Sequence, residues 1–390
     1  MQQMQVQKQN ATVCPPALCA GCAACADRCA VGAIRVEHGL QNCRAVIDAA
    51  RCTHCGRCTA LCPAMHAATL AAPIAWQQGW AADAQVRAAS ASGGAAAAIA
   101  AAFAAGGGIV CACAYREGKF GFSFAETPAD TAVFKGSKYV KSNPQGVYRQ
   151  IAAYLQAGKK VLFIGLPCQV AAVRNYTKDA AGLYTVDLIC HGSPSVTLLR
   201  MYLAERGYAE NKVSSVDFRQ KDSFFLSANG KGVEPPTVYD RYTFAFLEAL
   251  DYTENCYACR YATEKRVSDL TLGDAWGSEL SREEQKKGIS LLLCNSERGR
   301  ELLKTADMCL FPIDAETAKR ANRQLTAPSA APDAREKFFR ILARTQNFSR
   351  AVSRCYPTVF LRQDLKRVLI RMHLIRPKTD TAHCKEKDKA

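Results

Sequence analysis

The residues in this sequence with the most chemistry to offer are its cysteines, and their spacing narrows what that chemistry is. Cys19, Cys22, Cys25 and Cys29 follow the pattern CxxCxxCxxxC, and Cys52, Cys55, Cys58 and Cys62 repeat it with Pro63 behind. Three thiolates at such intervals wrap one inorganic cube, while the fourth reaches a neighbouring one. The spacing therefore predicts two [4Fe-4S] clusters held crosswise: Cys19, Cys22 and Cys25 with Cys62, and Cys52, Cys55 and Cys58 with Cys29. Zinc also takes paired thiolates, but two runs of four at this spacing favour iron and sulfur. Ala30 stands where the first run would usually carry proline, a local departure. Cys14 and Cys43 lie outside the pattern and are read as non-ligands.

Four further cysteines are spread through the chain. VLFIG (161–165) is a short apolar run suited to a buried parallel strand, and it stops at Gly165-Leu166-Pro167. A helix is expected over 169–176. Proline in a first helical turn costs no hydrogen bond, so Cys168 would meet free backbone N–H groups and the positive helix end. YTVDLI (184–189) repeats the layout and delivers Cys190, followed by His191-Gly192 and a helix opening at Ser193-Pro194. Cys256 and Cys259 form a CxxC on a short polar loop. Ligands of open α/β sheets bind beyond the carboxyl ends of the strands, where Cys168 and Cys190 would arrive. Each alone reads as a small buried apolar residue. Together with the CxxC, the four point to a third [4Fe-4S] cluster, with His191 tuning it by hydrogen bonding.

The elements that must position these residues divide the chain. We expect a Gln-rich tail (1–13), an α+β ferredoxin-like iron-sulfur domain (14–70) and a linker (71–87) whose Trp76 and Trp80 pack the small domain on the large one. An α/β core domain with a mainly parallel or mixed sheet follows (88–325), then C-terminal helices (326–376) and a second disordered tail (377–390). Within the core, Ser92-Gly93-Gly94 opens an alanine-rich helix whose N–H groups suit a flavin pyrophosphate, or are simply capped. Lys138 and Tyr139, in a basic loop, are candidates to touch an anionic aromatic cofactor. No GxGxxG follows a strand, which argues against a nicotinamide nucleotide.

Composition limits the alternatives. The chain has 390 residues, 49% of them hydrophobic, enough for two or three domains with real cores. Its 20 cysteines are too sparse for a small disulfide scaffold and cluster as CxxC units. No secretory signal or spanning segment stands out, so a reducing cytoplasm is expected. The formal charge of +16 falls to roughly +8 once three clusters and one flavin are counted, which suits acidic partners such as a ferredoxin. No recognised nucleic-acid reading motif is present. The segment 357–377 reads as a basic amphipathic helix, docked on its own domain or laid on a membrane or an acidic partner.

Taken in order, SASGG with its alanine-rich helix, GSKYVKSNP, GLPCQVAAVR, DLICHGSPS, CYACRYA and DLTLGDAWG resemble the coenzyme F420 hydrogenase/dehydrogenase beta-subunit family over about residues 88–310, with a ferredoxin domain fused in front. The core is also similar to ferredoxin-dependent chlorophyllide reductases. The resemblance implies FAD beside one [4Fe-4S] cluster held by Cys168, Cys190, Cys256 and Cys259, with Ser92, Gly93 and Gly94 at the flavin turn and Lys138 and Tyr139 in the cofactor loop. It implies an oxidoreductase that moves single electrons through clusters and exchanges hydride with coenzyme F420 or another acceptor. A non-catalytic electron-relay or assembly subunit is the alternative.

Overall fold

The computed structural model describes residues 11–376, so the tail expected at 377–390 and most of the one at 1–13 lie outside the described residues. Residues 11–13 are not a tail: Thr12 forms a β-bridge with Val46, and the Val13 amide donates to Ala45 O at 2.9 Å.

The N-terminal unit is small. Strands β1 (Ile34–His38) and β2 (Cys43–Ile47) pair antiparallel, with short helices Ala24–Arg28 and Arg57–Ala60 inside the two cysteine runs. Its buried cluster is Val13, Cys14, Cys19, Cys25, Cys43, Ala45 and Cys62. Thiols make up most of that core, and a unit of this size buries too little apolar surface to stand on dispersion alone.

The larger unit is built on eight strands: β3 (Ala75–Ala81), β4 (Ile109–Arg116), β5 (Lys119–Ala125), β6 (Val161–Gly165), β7 (Leu183–Leu188), then, beyond a small hairpin sheet of β8 (Val216–Gln220), β9 (Ser223–Ala228) and β10 (Lys231–Gly232), β11 (Leu270–Asp274), β12 (Ser290–Cys294) and β13 (Met308–Pro312). Their order is β13-β3-β12-β11-β7-β6-β4-β5. The centre β11-β7-β6-β4 is parallel and both flanks are antiparallel, so the sheet is mixed.

Side chains of β6 explain its unbroken apolar run, because both faces are covered. Leu162 and Ile164 face a layer with the helices Ala95–Ala105 and Glu297–Thr305. Val161 and Phe163 face the helices Val147–Gln156 and Pro167–Thr177. A third core joins β8 and β9 to the helices Val196–Glu205, Arg241–Leu247, Ala334–Thr345, Phe348–Cys355 and Pro357–Arg371.

The expected linker is where the fold departs most from the sequence reading. Residues 75–81 form β3, paired on one side with β12 and on the other with β13. Trp76 and Trp80 pack inside the large unit with Leu291, Leu293 and Ala318. Alanine, glutamine and glycine give this strand little intrinsic β character, and its partners are some 200 residues away in sequence.

The two units are joined by hydrogen bonds instead. The Asp27 carboxylate accepts from the amides of Gly146 and Tyr148, capping the helix Val147–Gln156 from the neighbouring unit. Tyr148 Oη donates to Cys22 O at 2.9 Å, and Asn175 Nδ2 donates to the carbonyls of Leu61 and His66.

Candidate metal centre

The two N-terminal cysteine runs share a backbone conformation as well as a spacing. Gly21 and Ala23 in the first have φ of +68° and +60°; His54 and Gly56, at the equivalent positions of the second, have +54° and +69°. Two of these four are not glycine, and the left-handed region costs such residues free energy that something in the folded state must return. Backbone N–H groups turn toward sulfur: His54 N–H, within the second curl, donates to Cys52 Sγ at 3.4 Å, and beyond the first run Ala33 N–H donates to Cys29 Sγ at 3.2 Å.

Cys19, Cys22, Cys25 and Cys62 lie close enough to act on one another's thiols. Burial raises the Cys25 thiol to about 12, and Cys19 and Cys62 push it the same way. Burial raises Cys22 further, with Cys25, Cys19 and Cys62 adding to it. Cys14, outside the sequence pattern, turns out to stand among them. It donates a hydrogen bond that lowers Cys19 to about 7 and Cys62 to about 6. The other quartet sits nearer solvent: Cys55 is exposed and Cys29, Cys52 and Cys58 are half-buried. The Arg57 amide and the Thr53 hydroxyl hold the Cys55 thiol below its usual value.

In the large unit, β6 ends at Gly165 and the next helix starts with Pro167 in its first turn, which places Cys168 second. Gln169 Oε1 accepts from the Leu166 amide at 2.9 Å and fixes the strand-to-helix turn. Cys190 follows the end of β7. Gly192 lets the CxxC segment approach: its φ is +145°, and a Cβ there would lie 2.1 Å from the Tyr252 ring. Thr253 is tied to Ser193 O through both its amide and its hydroxyl, bringing Cys256 alongside Cys190.

Arg266 secures the far side of the CxxC loop. It donates from Nη1 to Tyr261 O at 2.8 Å and Thr263 O at 3.1 Å, from Nη2 to Leu188 O at 3.3 Å, and from Nε to Thr271 Oγ1 at 3.2 Å. Nη2 also stands 3.2 Å from Asp187 Oδ1, both groups being fully buried. Its role depends on contacts with three other segments, and no local motif announces it.

One cavity unites the two units. Its lining includes Cys14, Cys19, Cys22, Cys25 and Cys62 from the first, and Cys168, Cys190, Cys256, Cys259, His191 and Lys141 from the second. Burial raises Cys168 to about 12, Lys141 pulls it down, and Cys259 and Cys256 push it up. Burial followed by Cys256, Cys168 and Cys259 raises Cys190 well above its usual value. Four thiols buried this close cannot all ionise without a cationic centre to neutralise them, which is what thiolate-bound iron provides. The donor set thus fits a four-cysteine cluster. No group of three or more His, Cys, Asp or Glu among the described residues closes on a single ion. A cube spreads its sulfurs more widely than the tetrahedron around one zinc, whose Zn–S bonds are about 2.3 Å.

The five residues proposed for flavin fare differently, and none of them lines this cavity. Lys138 Nζ donates to the carbonyls of Phe134, Lys135 and Gly136, so its charge is satisfied within its own loop. Tyr139 is stacked on Phe246 with ring centroids 4.4 Å apart. A Cβ on Gly93 would sit 2.5 Å from Gly79 O and 2.6 Å from Ser290 N, so this glycine serves the packing of β3 and β12. Ser92 Oγ donates to Ile289 O. Gly94, at φ +87°, opens the helix Ala95–Ala105 with no side-chain cap, and Lys221 Nζ lies beside that turn on Ser92 O.

Arg219 is a further residue the sequence reading did not reach. It forms a bidentate pair with Asp274 at 2.5 and 2.9 Å, and its guanidinium lies over Phe224 and Trp276. His191 stands close enough for Asp274 and Arg219 to act on it, although burial dominates and lowers its pKa.

Comparison with known proteins bears on the core. No curated protein matches the chain. A chain of the F420-reducing [NiFe] hydrogenase complex from Methanosarcina barkeri is similar at 19% identity and a TM-score of 0.44, covering 66% of this chain and 90% of that one. The family described as the C terminus of the coenzyme F420 hydrogenase/dehydrogenase beta subunit matches residues 158–311, the span from β6 to β13 that carries Cys168, Cys190, Cys256 and Cys259. Over that span, the chain is similar to the coenzyme F420 hydrogenase/dehydrogenase beta-subunit family.

Proposed function

We propose that this chain is an iron-sulfur flavoprotein oxidoreductase that passes electrons between a ferredoxin-type carrier and a flavin exchanging hydride with coenzyme F420 or another reducible acceptor. The observation that carries the reading is the shared cavity, where Cys19, Cys22, Cys25 and Cys62 from one unit meet Cys168, Cys190, Cys256 and Cys259 from the other. When bound, [4Fe-4S] clusters supply one-electron transfer and a flavin supplies the pairing of two electrons for hydride chemistry.

The chain's own residues supply placement and access. Cys29, Cys52, Cys55 and Cys58 keep a thiolate set at the surface, where a carrier could approach. Gly192, Thr253 and Arg266 fix the CxxC loop against Cys190, while Pro167 and Gln169 fix Cys168. For the flavin, the turn at Gly94, with no side-chain cap, offers backbone N–H groups of the kind that hold a phosphate.

Lys138 is satisfied within its own loop and Tyr139 is stacked on Phe246, and this favours a second reading, an electron relay or assembly subunit with no flavin. Anaerobic purification followed by iron, sulfide and flavin analysis separates the two. About twelve irons and one flavin per chain support the oxidoreductase. Twelve irons without flavin would support the relay, and about eight irons would remove the core cluster.

The C-terminal helix suggests a further contact. Its inner face is docked through Phe360, and Arg367 pairs with Glu234. Its outer face carries Leu361, Leu365, Val368 and Met372 at 50–74% exposure, beside exposed Arg362 and Arg371. Its one acid, Asp364, is already paired with Arg241. An apolar stripe flanked only by free cations suits an anionic membrane surface. No helix among the described residues is long and apolar enough to cross a membrane.

A further inference from the structure

Lys141 is buried, with 8% of its surface exposed, on the loop that links β5 to the helix Val147–Gln156. The loop is pinned at this point, because the Lys141 amide donates to Pro194 O and the Asn143 amide to Phe120 O. Its ammonium donates to Ala20 O at 3.2 Å and reaches Asn255 Oδ1 at 3.4 Å. Ala20 lies between Cys19 and Cys22, and Asn255 immediately precedes Cys256, so one cation touches the loops of both cysteine quartets that share the cavity.

No carboxylate among the described residues pairs with this ammonium. A buried cation held only by neutral oxygens is costly, and its cost is relieved only where negative charge stands nearby. Cys256, Cys43, Cys168 and Cys19 each favour its charged form. With iron bound, each quartet would carry net negative charge that rises by one unit with each electron accepted. A fixed positive charge next to both sites lowers the free energy of their reduced forms.

We propose that Lys141 is a shared counter-charge that raises the reduction potentials of the two cysteine-held sites facing the cavity, and so sets how readily an electron passes between the units. The inference rests on the reading that both quartets bind [4Fe-4S] clusters. Each reduction is a one-electron step: the site gains one electron from a low-potential one-electron reductant, and no proton or bond changes hands at Lys141.

The test is an anaerobic redox titration of the full chain, followed by electron paramagnetic resonance, comparing the wild type with Lys141→Met, Lys141→Gln and Lys141→Arg. Glutamine is neutral but can still donate to Ala20 O, which protects the test if the methionine variant fails to hold iron. Both neutral variants should lower two of the three cluster potentials, each by about tenfold in the reduction equilibrium, or ~59 mV for one electron. The arginine variant should stay near the wild type, and the cluster of Cys29, Cys52, Cys55 and Cys58 should not move. Unchanged potentials in an iron-replete neutral variant would overturn the proposal, as would equal shifts of all three clusters. Loss of iron from all three variants, arginine included, would overturn it too, because Lys141 would then only brace the loops. A wild type with about eight irons and no signal from the core quartet would instead strike down the three-cluster reading beneath it.

Discussion

At the scale of single residues, the core quartet makes a direct prediction. Cys256→Ala should reduce bound iron from about twelve to about eight atoms per chain, leaving the signals of the two N-terminal clusters in place. Iron analysis with a visible spectrum checks this. A second prediction concerns a residue outside the site. Asp251 is fully buried, and burial pushes its carboxyl up to about 7, against the pull of its own backbone amide and Arg335. Because the folded pKa lies above the unfolded one, the neutral acid is favoured in the folded state. Stability is therefore full below about pH 4 and declines as the pH rises to about 7, after which it is flat. Asp251→Asn should leave stability at pH 4 nearly unchanged and raise it at pH 8 by up to about 4 kcal/mol, at about 1.4 kcal/mol per pKa unit. Denaturant titrations at the two pH values give the comparison; equal effects at both would show that the carboxylate carries no burial penalty.

At the scale of elements, the helix Val147–Gln156 begins at Gly146, which has no side chain to cap it, and Asp27 from the N-terminal unit does so instead. Asp27→Ala should cost about 1–2 kcal/mol, a typical value for a lost helix cap. It should also make the chain easier to nick between the units, whereas Asp27→Asn, which keeps an acceptor oxygen, should cost less. Limited proteolysis alongside a thermal melt measures both. The terminal helix makes a separate prediction. Leu365 and Val368 are 60% and 50% exposed, so replacing both with glutamate should not disturb the fold. The double variant should lose most of the binding to vesicles rich in phosphatidylglycerol that the parent shows on co-sedimentation. Equal binding of parent and variant, or parent binding to neutral vesicles alone, would contradict a role for this face.

At the scale of the whole molecule, the acidic carrier proposed for this basic chain should deliver electrons to it more slowly as salt rises. Stopped-flow reduction by a small acidic ferredoxin should slow about tenfold or more between low and physiological ionic strength, as steered association does. A rate indifferent to salt would point away from an acidic carrier.

What could be read from the sequence followed the range of the interactions involved. The CxxCxxC spacing of the two N-terminal runs and the β6-to-Cys168 turn are local patterns, written in residues a few places apart, because a tight thiol-bearing loop and a helix's first turn are themselves local geometry. The apolar run of β6 and the end of β7 were legible for the same reason. Strand β3 was not, since Ala75–Ala81 gains its β structure from β12 and β13 rather than from its own residues. Lys141, Arg266, Arg219 and Cys14 were equally silent: each matters through neighbours supplied by distant segments. The sequence by itself determined which thiols come in sets and what chemistry such sets favour. Only the tertiary structure decided that two of those sets face one cavity with a buried ammonium between their loops, because bringing a charge to two sites at once requires chain segments that meet only after folding.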